Sequence, residues 1–167
     1  ILPAPEELIL ESVELHRGKY VISCQDPISI KQGTNLIIQG PSGAGKSSFL
    51  DGFMGFIPGI TLANGVNIRA YAHQMVCHLQ NAQSITLSSI SICDVFRSTD
   101  VDGIREVLDL FFEKEELDGV LRNISSENPF GEHIEGKMSG GQKTRFFLAA
   151  TLFKAIQKNA KIVFLDE

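Results

Sequence analysis

Gly40-Pro41-Ser42-Gly43-Ala44-Gly45-Lys46-Ser47-Ser48 has the spacing G-x-x-x-x-G-K-[ST] and follows the apolar run Leu36-Ile37-Ile38. This stretch decides the fold, because it predicts a strand over 34–39 that runs into an anion cradle and then into a helix. Each residue type has a physical task. Glycines at 40, 43 and 45 can take positive φ and turn backbone N–H groups toward phosphate oxygens. Lys46 adds a full charge at the β- and γ-phosphates, and Ser47 offers its hydroxyl to Mg2+. The helix opening there presents the positive end of its dipole. The plain alternative is a glycine-rich turn that matches by chance, which is uncommon for a chain with 15 glycines in 167 residues.

Working outward, Phe49, Leu50, Phe53 and Met54 recur at helical spacing, so the loop feeds a helix that packs on a sheet and closes at Pro58-Gly59. Upstream, residues 1–7 read as a linker. Leu8 to Leu15 and Tyr20 to Ser23 run close to alternation, with Gly18 as the hairpin between them. Ile28 and Ile30 alternate before the turn at Gly33. Downstream, Ile60–Leu62 and Met75–Leu79 are short strand-like pieces separated by the turn signal Asn64-Gly65.

Ile104, Val107, Leu108 and Phe111 keep helical spacing behind a Thr99-x-x-Asp102 cap, inside a helical subdomain expected over 88–124. Its acidic residues Glu113, Glu115, Glu116 and Asp118 read as a solvated face. A polar loop over 125–137 leads to Met138-Ser139-Gly140-Gly141-Gln142. Phe146, Ala149, Phe153 and Ile156 then define a long helix ending near Asn159. Last come Ile162-Val163-Phe164-Leu165, the pattern of a buried parallel strand, and the acid pair Asp166-Glu167 at its carboxyl end, where α/β folds place ligands.

Composition limits the function. With 43% hydrophobic residues the chain can build one cored domain, and a net charge of −5 with no basic cluster excludes nucleic acid as the main ligand. The three cysteines, Cys24, Cys77 and Cys93, fit reduced, buried thiols better than disulfides. His16, His73, His78 and His133 lack metal-ligand spacing. There is no run of eighteen apolar residues and no signal-peptide pattern. The start at Ile1 and the stop after an apolar run and two acids read as the ends of a piece cut from a longer protein.

Three ordered motifs coincide: the phosphate loop, Ser139-Gly140-Gly141-Gln142, and four apolar residues ending in Asp166-Glu167. Together they resemble the nucleotide-binding domain of the ATP-binding-cassette family over nearly the whole chain. The resemblance implies an α/β P-loop NTPase fold, a RecA-like mixed sheet with flanking helices, joined by N-terminal antiparallel strands and a helical subdomain. It divides the chain into a nucleotide-binding core (1–87), the helical subdomain (88–138) and the signature helix with the Walker B strand (139–167). By that resemblance the C-terminal part of the fold is expected to be missing from this stretch of sequence. In the family the next strand inserts between the Walker A and Walker B strands, so 34–39 and 162–165 are expected to have unpaired edges.

The resemblance also implies ATP and Mg2+ as ligands and ATP hydrolysis as the activity. It gives Glu167 the task of polarising water, Gln80 that of sensing the γ-phosphate, and Lys46 a catalytic charge. Gly40, Pro41, Ser42, Gly43, Ala44, Gly45, Lys46, Ser47 and Ser48 would hold the nucleotide, and Ser47, Gln80 and Asp166 the metal. Gln74 and then Gln83 are the alternatives to Gln80. Ser139, Gly140, Gly141 and Gln142 form a second anion site, which in the family closes on the nucleotide of a partner subunit. Met138 replaces the usual leucine there with little change in volume, and Arg145 matches the basic residue that follows.

An adenine-stacking aromatic is usual about thirty residues before the loop lysine. Arg17 stands at that position here, with Tyr20 close by. The implied partners are a second nucleotide-binding domain, head to tail, and membrane-spanning transporter domains, at the cytoplasmic face of a membrane. Gly131-Glu132-His133-Ile134-Glu135-Gly136 is similar to a stretch of exporter-type cassettes. The other functions in view are a nucleotide-responsive module without turnover and a non-transporter ATPase of the same family.

Overall fold

The computed structural model describes residues 5–78, 91–121 and 138–166. These fall into two compact units, the first running to Met75 and taking in Asp166, the second running from Val76 to Leu165.

In the first unit β1 (Glu7–Arg17) is the hub: β2 (Tyr20–Cys24), β3 (Ile28–Lys31) and β4 (Ile60–Leu62) all pair with it antiparallel. Leu8 and Leu10 are buried, then Val13 and Leu15, so the buried phase slips by one residue. The cause is a register shift between Leu10 and Ser12 in the β1–β4 ladder, where an extra residue is accommodated and the strand turns its face. Arg17 pairs with Tyr20, which leaves Gly18 and Lys19 as a two-residue turn with Gly18 at φ 62°.

The helix after the loop, α1 (Lys46–Phe53), packs on β1: a Cβ at Gly52 would lie 2.5 Å from Leu15 Cδ2, so a larger residue would force the buried Leu15 side chain to shift. The helix ends before Pro58-Gly59, at a turn through Gly55 with φ 78°. A 3-10 helix over Ile68–Gln74 follows the Asn64-Gly65 turn, and the pattern of strand-like pieces did not foretell it. Asn67 starts it by accepting from the Arg69 N–H at 2.9 Å.

Residues 34–39 do not form a strand. Apolar residues specify an extended chain, whereas a strand also needs a neighbour to pair with. Ile37 is 74% exposed.

In the second unit β5 (Met75–His78) pairs with β6 (Ile162–Leu165). Phe164 is buried, but Val163 and Leu165 are exposed, so β6 is covered on one face and not the fully buried strand its composition suggests. The core of this unit joins α2 (Ile92–Phe96), α3 (Val101–Leu108), α4 (Lys114–Leu121) and α5 (Gly140–Gln157). Phe96 meets Phe146 and Phe153 edge-on at 5.5 and 5.4 Å, a favoured aromatic geometry. Asp100, not Thr99, caps α3, accepting from the Gly103 N–H at 3.1 Å. Ile156, the last of the residues at helical spacing, is exposed at the end of α5.

His78 is buried, with Nδ1 3.2 Å from Thr151 Oγ1, while that hydroxyl donates to the Phe147 carbonyl at 2.9 Å. The histidine is a packed structural residue. The three cysteines are free thiols and half-buried. Among the described residues no helix is long and apolar enough to cross a membrane.

Candidate functional site

The phosphate loop gives α1 an unusual start. Gly45 caps it at φ 90° and ψ 14°, and no side-chain cap accepts from the backbone N–H groups of its first turn. The N–H groups of that turn therefore lack the side-chain partner that most helices supply. Gly43 is also left-handed, at φ 80°. Gly40 is not: it takes no positive φ, contrary to the sequence reading, and a Cβ there would lie 3.3 Å from Ala44 Cβ. The glycine at 40 answers to crowding, and those at 43 and 45 answer to backbone conformation. Gly45 answers to both, because a Cβ there would lie 2.4 Å from Ile22 Cδ1.

Lys46 Nζ donates to the carbonyls of Gly40 and Pro41 at 2.9 and 3.0 Å, so its charge lies across the loop's own backbone. Ser47 Oγ donates to Asp166 Oδ1 at 3.1 Å. This bond joins two motifs 119 residues apart in the chain. A hydroxyl and a carboxylate are hard oxygen donors, which suits Mg2+. Among the described residues no group of three His, Cys, Asp or Glu forms a metal cage. A magnesium ion here would rest on these two side chains together with ligand oxygens, as Mg2+ characteristically does.

Arg17, at the end of β1, donates through one η nitrogen to Ser48 Oγ at 2.8 Å and, at 3.4 Å, to Asp51 Oδ2. Ser48 is buried. Tyr20 is 68% exposed, with Lys19 Nζ 5.5 Å from its ring centroid.

The start of α5 is built the other way. Ser139 Oγ accepts from the Gln142 N–H at 3.2 Å and Gln142 Oε1 accepts from the Ser139 N–H at 2.9 Å, a closed capping box. Met138 is buried in the core behind it. Gln142 Nε2 also donates to Glu116 Oε1 at 3.2 Å. Arg145 donates to Glu116 through both η nitrogens, to Oε2 at 2.8 Å, and to the Phe111 carbonyl at 3.1 Å. Its guanidinium carbon lies 4.9 Å from the Phe112 ring centroid.

The hydrogen bond from Arg145 holds the Glu116 carboxyl below the ordinary carboxylate range, against partial desolvation and with help from Gln142. Arg145 is raised in turn, chiefly by the same hydrogen bond. Glu116 was read as part of a solvated acidic face; it is instead the anchor of the α5 start. Nothing local in the sequence marks it, since its partners are 26 and 29 residues away.

Glu167, Gln80 and Gln83 lie outside the described residues, as does the 131–136 stretch. Gln74 ends the 3-10 helix, with Nε2 2.9 Å from His73 Nε2.

Against this geometry, the family model described as "ABC transporter" matches residues 26–167. The vitamin B12 import ATP-binding protein BtuD of Photorhabdus laumondii subsp. laumondii is 28% identical over 146 residues, which are 83% of this chain and 55% of that protein. The manganese transport system ATP-binding protein MntB of Listeria monocytogenes serovar 1/2a is 30% identical over 150 residues, 84% of this chain and 58% of that one. The chain thus spans a little over half the length of these curated relatives. A bacterial Atm1-family ABC exporter solved with ATP bound superposes with a TM-score of 0.66 at 14% identity, over all of this chain and 35% of that one. That likeness concerns the fold, and it agrees with the α/β P-loop architecture. The match of the family model over 26–167, which takes in the phosphate loop, the α5 start and the acid after β6, shows that the chain belongs to the ABC transporter family.

Proposed function

We propose that the chain is the nucleotide-binding domain of an ABC transporter, binding ATP with Mg2+ at residues 40–48 and hydrolysing it to drive transport. The observation that carries this reading is the Ser47–Asp166 hydrogen bond at 3.1 Å, which brings the Walker B acid to the start of α1. The open N–H groups of α1 bind phosphate oxygens, and Lys46 exchanges the Gly40 and Pro41 carbonyls for the stronger charge of the β- and γ-phosphates. Ser47 and Asp166 would hold the metal, with Gln80 as a further residue toward it. Mg2+, when bound, neutralises developing charge on the phosphates. Glu167 orients water as general base. Tyr20, exposed at the start of β2, meets the base.

The α5 start, with Ser139, Gly140, Gly141 and Gln142, meets the nucleotide of a second such domain head to tail, and membrane-spanning domains at the cytoplasmic face couple the cycle to transport. The name of the Photorhabdus relative describes import, which favours that direction over export for this chain.

The test is metal dependence. A fluorescent ATP analogue should bind more tightly with Mg2+ than with EDTA. Asp166→Ala should remove about tenfold or more of that gain while leaving metal-free affinity in place. A variant that keeps the full gain would separate Asp166 from the metal and remove the main support of the reading.

A further inference from the structure

Arg17 stands where the family's base-stacking aromatic is usual, yet its contacts are with α1. Its guanidinium donates to Ser48 Oγ at 2.8 Å, and Asp51 Oδ2 lies 3.4 Å away one turn along the same helix. Ser48 is 8% exposed and sits in the first turn of α1, two residues after Lys46. A serine hydroxyl has one proton to donate and two lone pairs to accept with. Here Arg17 fills a lone pair, and among the described residues no acceptor takes the proton. A buried hydroxyl with its acceptor side occupied by a cation, in a helix turn that no side chain caps, is set up to donate to an anion.

We propose that Arg17 is a positioning residue for the phosphates of the nucleotide, acting through Ser48, and not the platform for its base. The charge on Arg17 polarises the hydroxyl and fixes its rotamer. Asp51, at 3.4 Å, draws the same guanidinium toward the helix. Base recognition falls to other groups, and Arg17 affects every triphosphate alike. The inference rests on the phosphate-loop reading above and goes beyond it by assigning Arg17 to one end of the ligand.

The experiment uses calorimetric titration of the purified chain with Mg-ATP, Mg-GTP and magnesium tripolyphosphate. Arg17→Ala should weaken all three by the same factor, about tenfold, the size of one charge-assisted hydrogen bond. Arg17→Lys should recover most of that loss. In the Ser48→Ala background, Arg17→Ala should cost no more than about twofold, because the partner is already gone. Arg17 is largely exposed, so the variants are expected to fold, and Ser48→Ala reports on the same contact without touching the arginine. A loss confined to ATP and GTP with tripolyphosphate unchanged would make Arg17 a base platform and overturn the proposal. Equal affinities in Arg17→Ala and the original chain would reduce the contact to packing and overturn it too. A chain that binds none of the three ligands would instead refute the phosphate-loop reading itself.

Discussion

The starts of α1 and α5 are both helix N-termini rich in glycine and serine, and the structure finishes them in opposite ways. α1 opens from a left-handed glycine with no side-chain cap. α5 opens from Ser139 inside a closed capping box whose glutamine is itself held by Glu116. An uncapped first turn leaves donors wanting an acceptor, so that site is incomplete without an anion. A capped first turn is complete by itself. This contrast suits the two tasks proposed above, retention of a nucleotide at α1 and an α5 start that is ordered without a ligand.

The comparison breaks most sharply at the glycines. Gly45→Ala places a side chain at φ 90° and against Ile22, and should cost about 2 kcal/mol or more of stability in the first unit along with nucleotide binding. Gly141→Ala meets nothing within 4 Å in α5, and should add about 0.5–1 kcal/mol in chemical denaturation because alanine is the better helix former. Opposite signs at the two positions, with the larger effect at Gly45, are the expected pattern. Two destabilised variants would mean that the α5 start also depends on glycine conformation.

A smaller effect sharpens the α5 side. Glu116 has its carboxyl lowered by Arg145, so its contribution to stability is present above the ordinary carboxylate range and is lost as pH falls through its depressed folded value. Thermal melts of Glu116→Gln should therefore show less acid-induced loss than the original chain, with the difference fading at high salt because the pair is partly exposed. Parallel acid profiles would remove Glu116 as the anchor.

How legible these features are in the sequence follows their range. β6 coincides with Ile162–Leu165, because a run of four apolar residues bounded by polar ones specifies its own limits. The hairpin at Gly18 and the helix after Lys46 are equally local. The strand expected at 34–39 is not formed, since pairing belongs to a neighbour and not to the residues themselves. The 3-10 helix over Ile68–Gln74 has no apolar period long enough to announce it, although Asn67 marks its start.

At the site, the glycine spacing announced the cradle, but not that Gly40 serves space while Gly43 and Gly45 serve conformation. The bonds from Arg17 to Ser48 and from Glu116 to Arg145 span 31 and 29 residues. Charge alone on an exposed strand end or helix face does not say which partner it will find.

The claim that α1 alone holds the nucleotide in the single chain is tested most directly by titrating a fluorescent ATP analogue into Lys46→Ala and Ser139→Arg side by side. The account predicts a loss of about a hundredfold or more for Lys46→Ala, which removes the charge lying across the loop. For Ser139→Arg it predicts affinity within about twofold of the original chain. Full affinity in Lys46→Ala, or a comparable loss in Ser139→Arg, would contradict it.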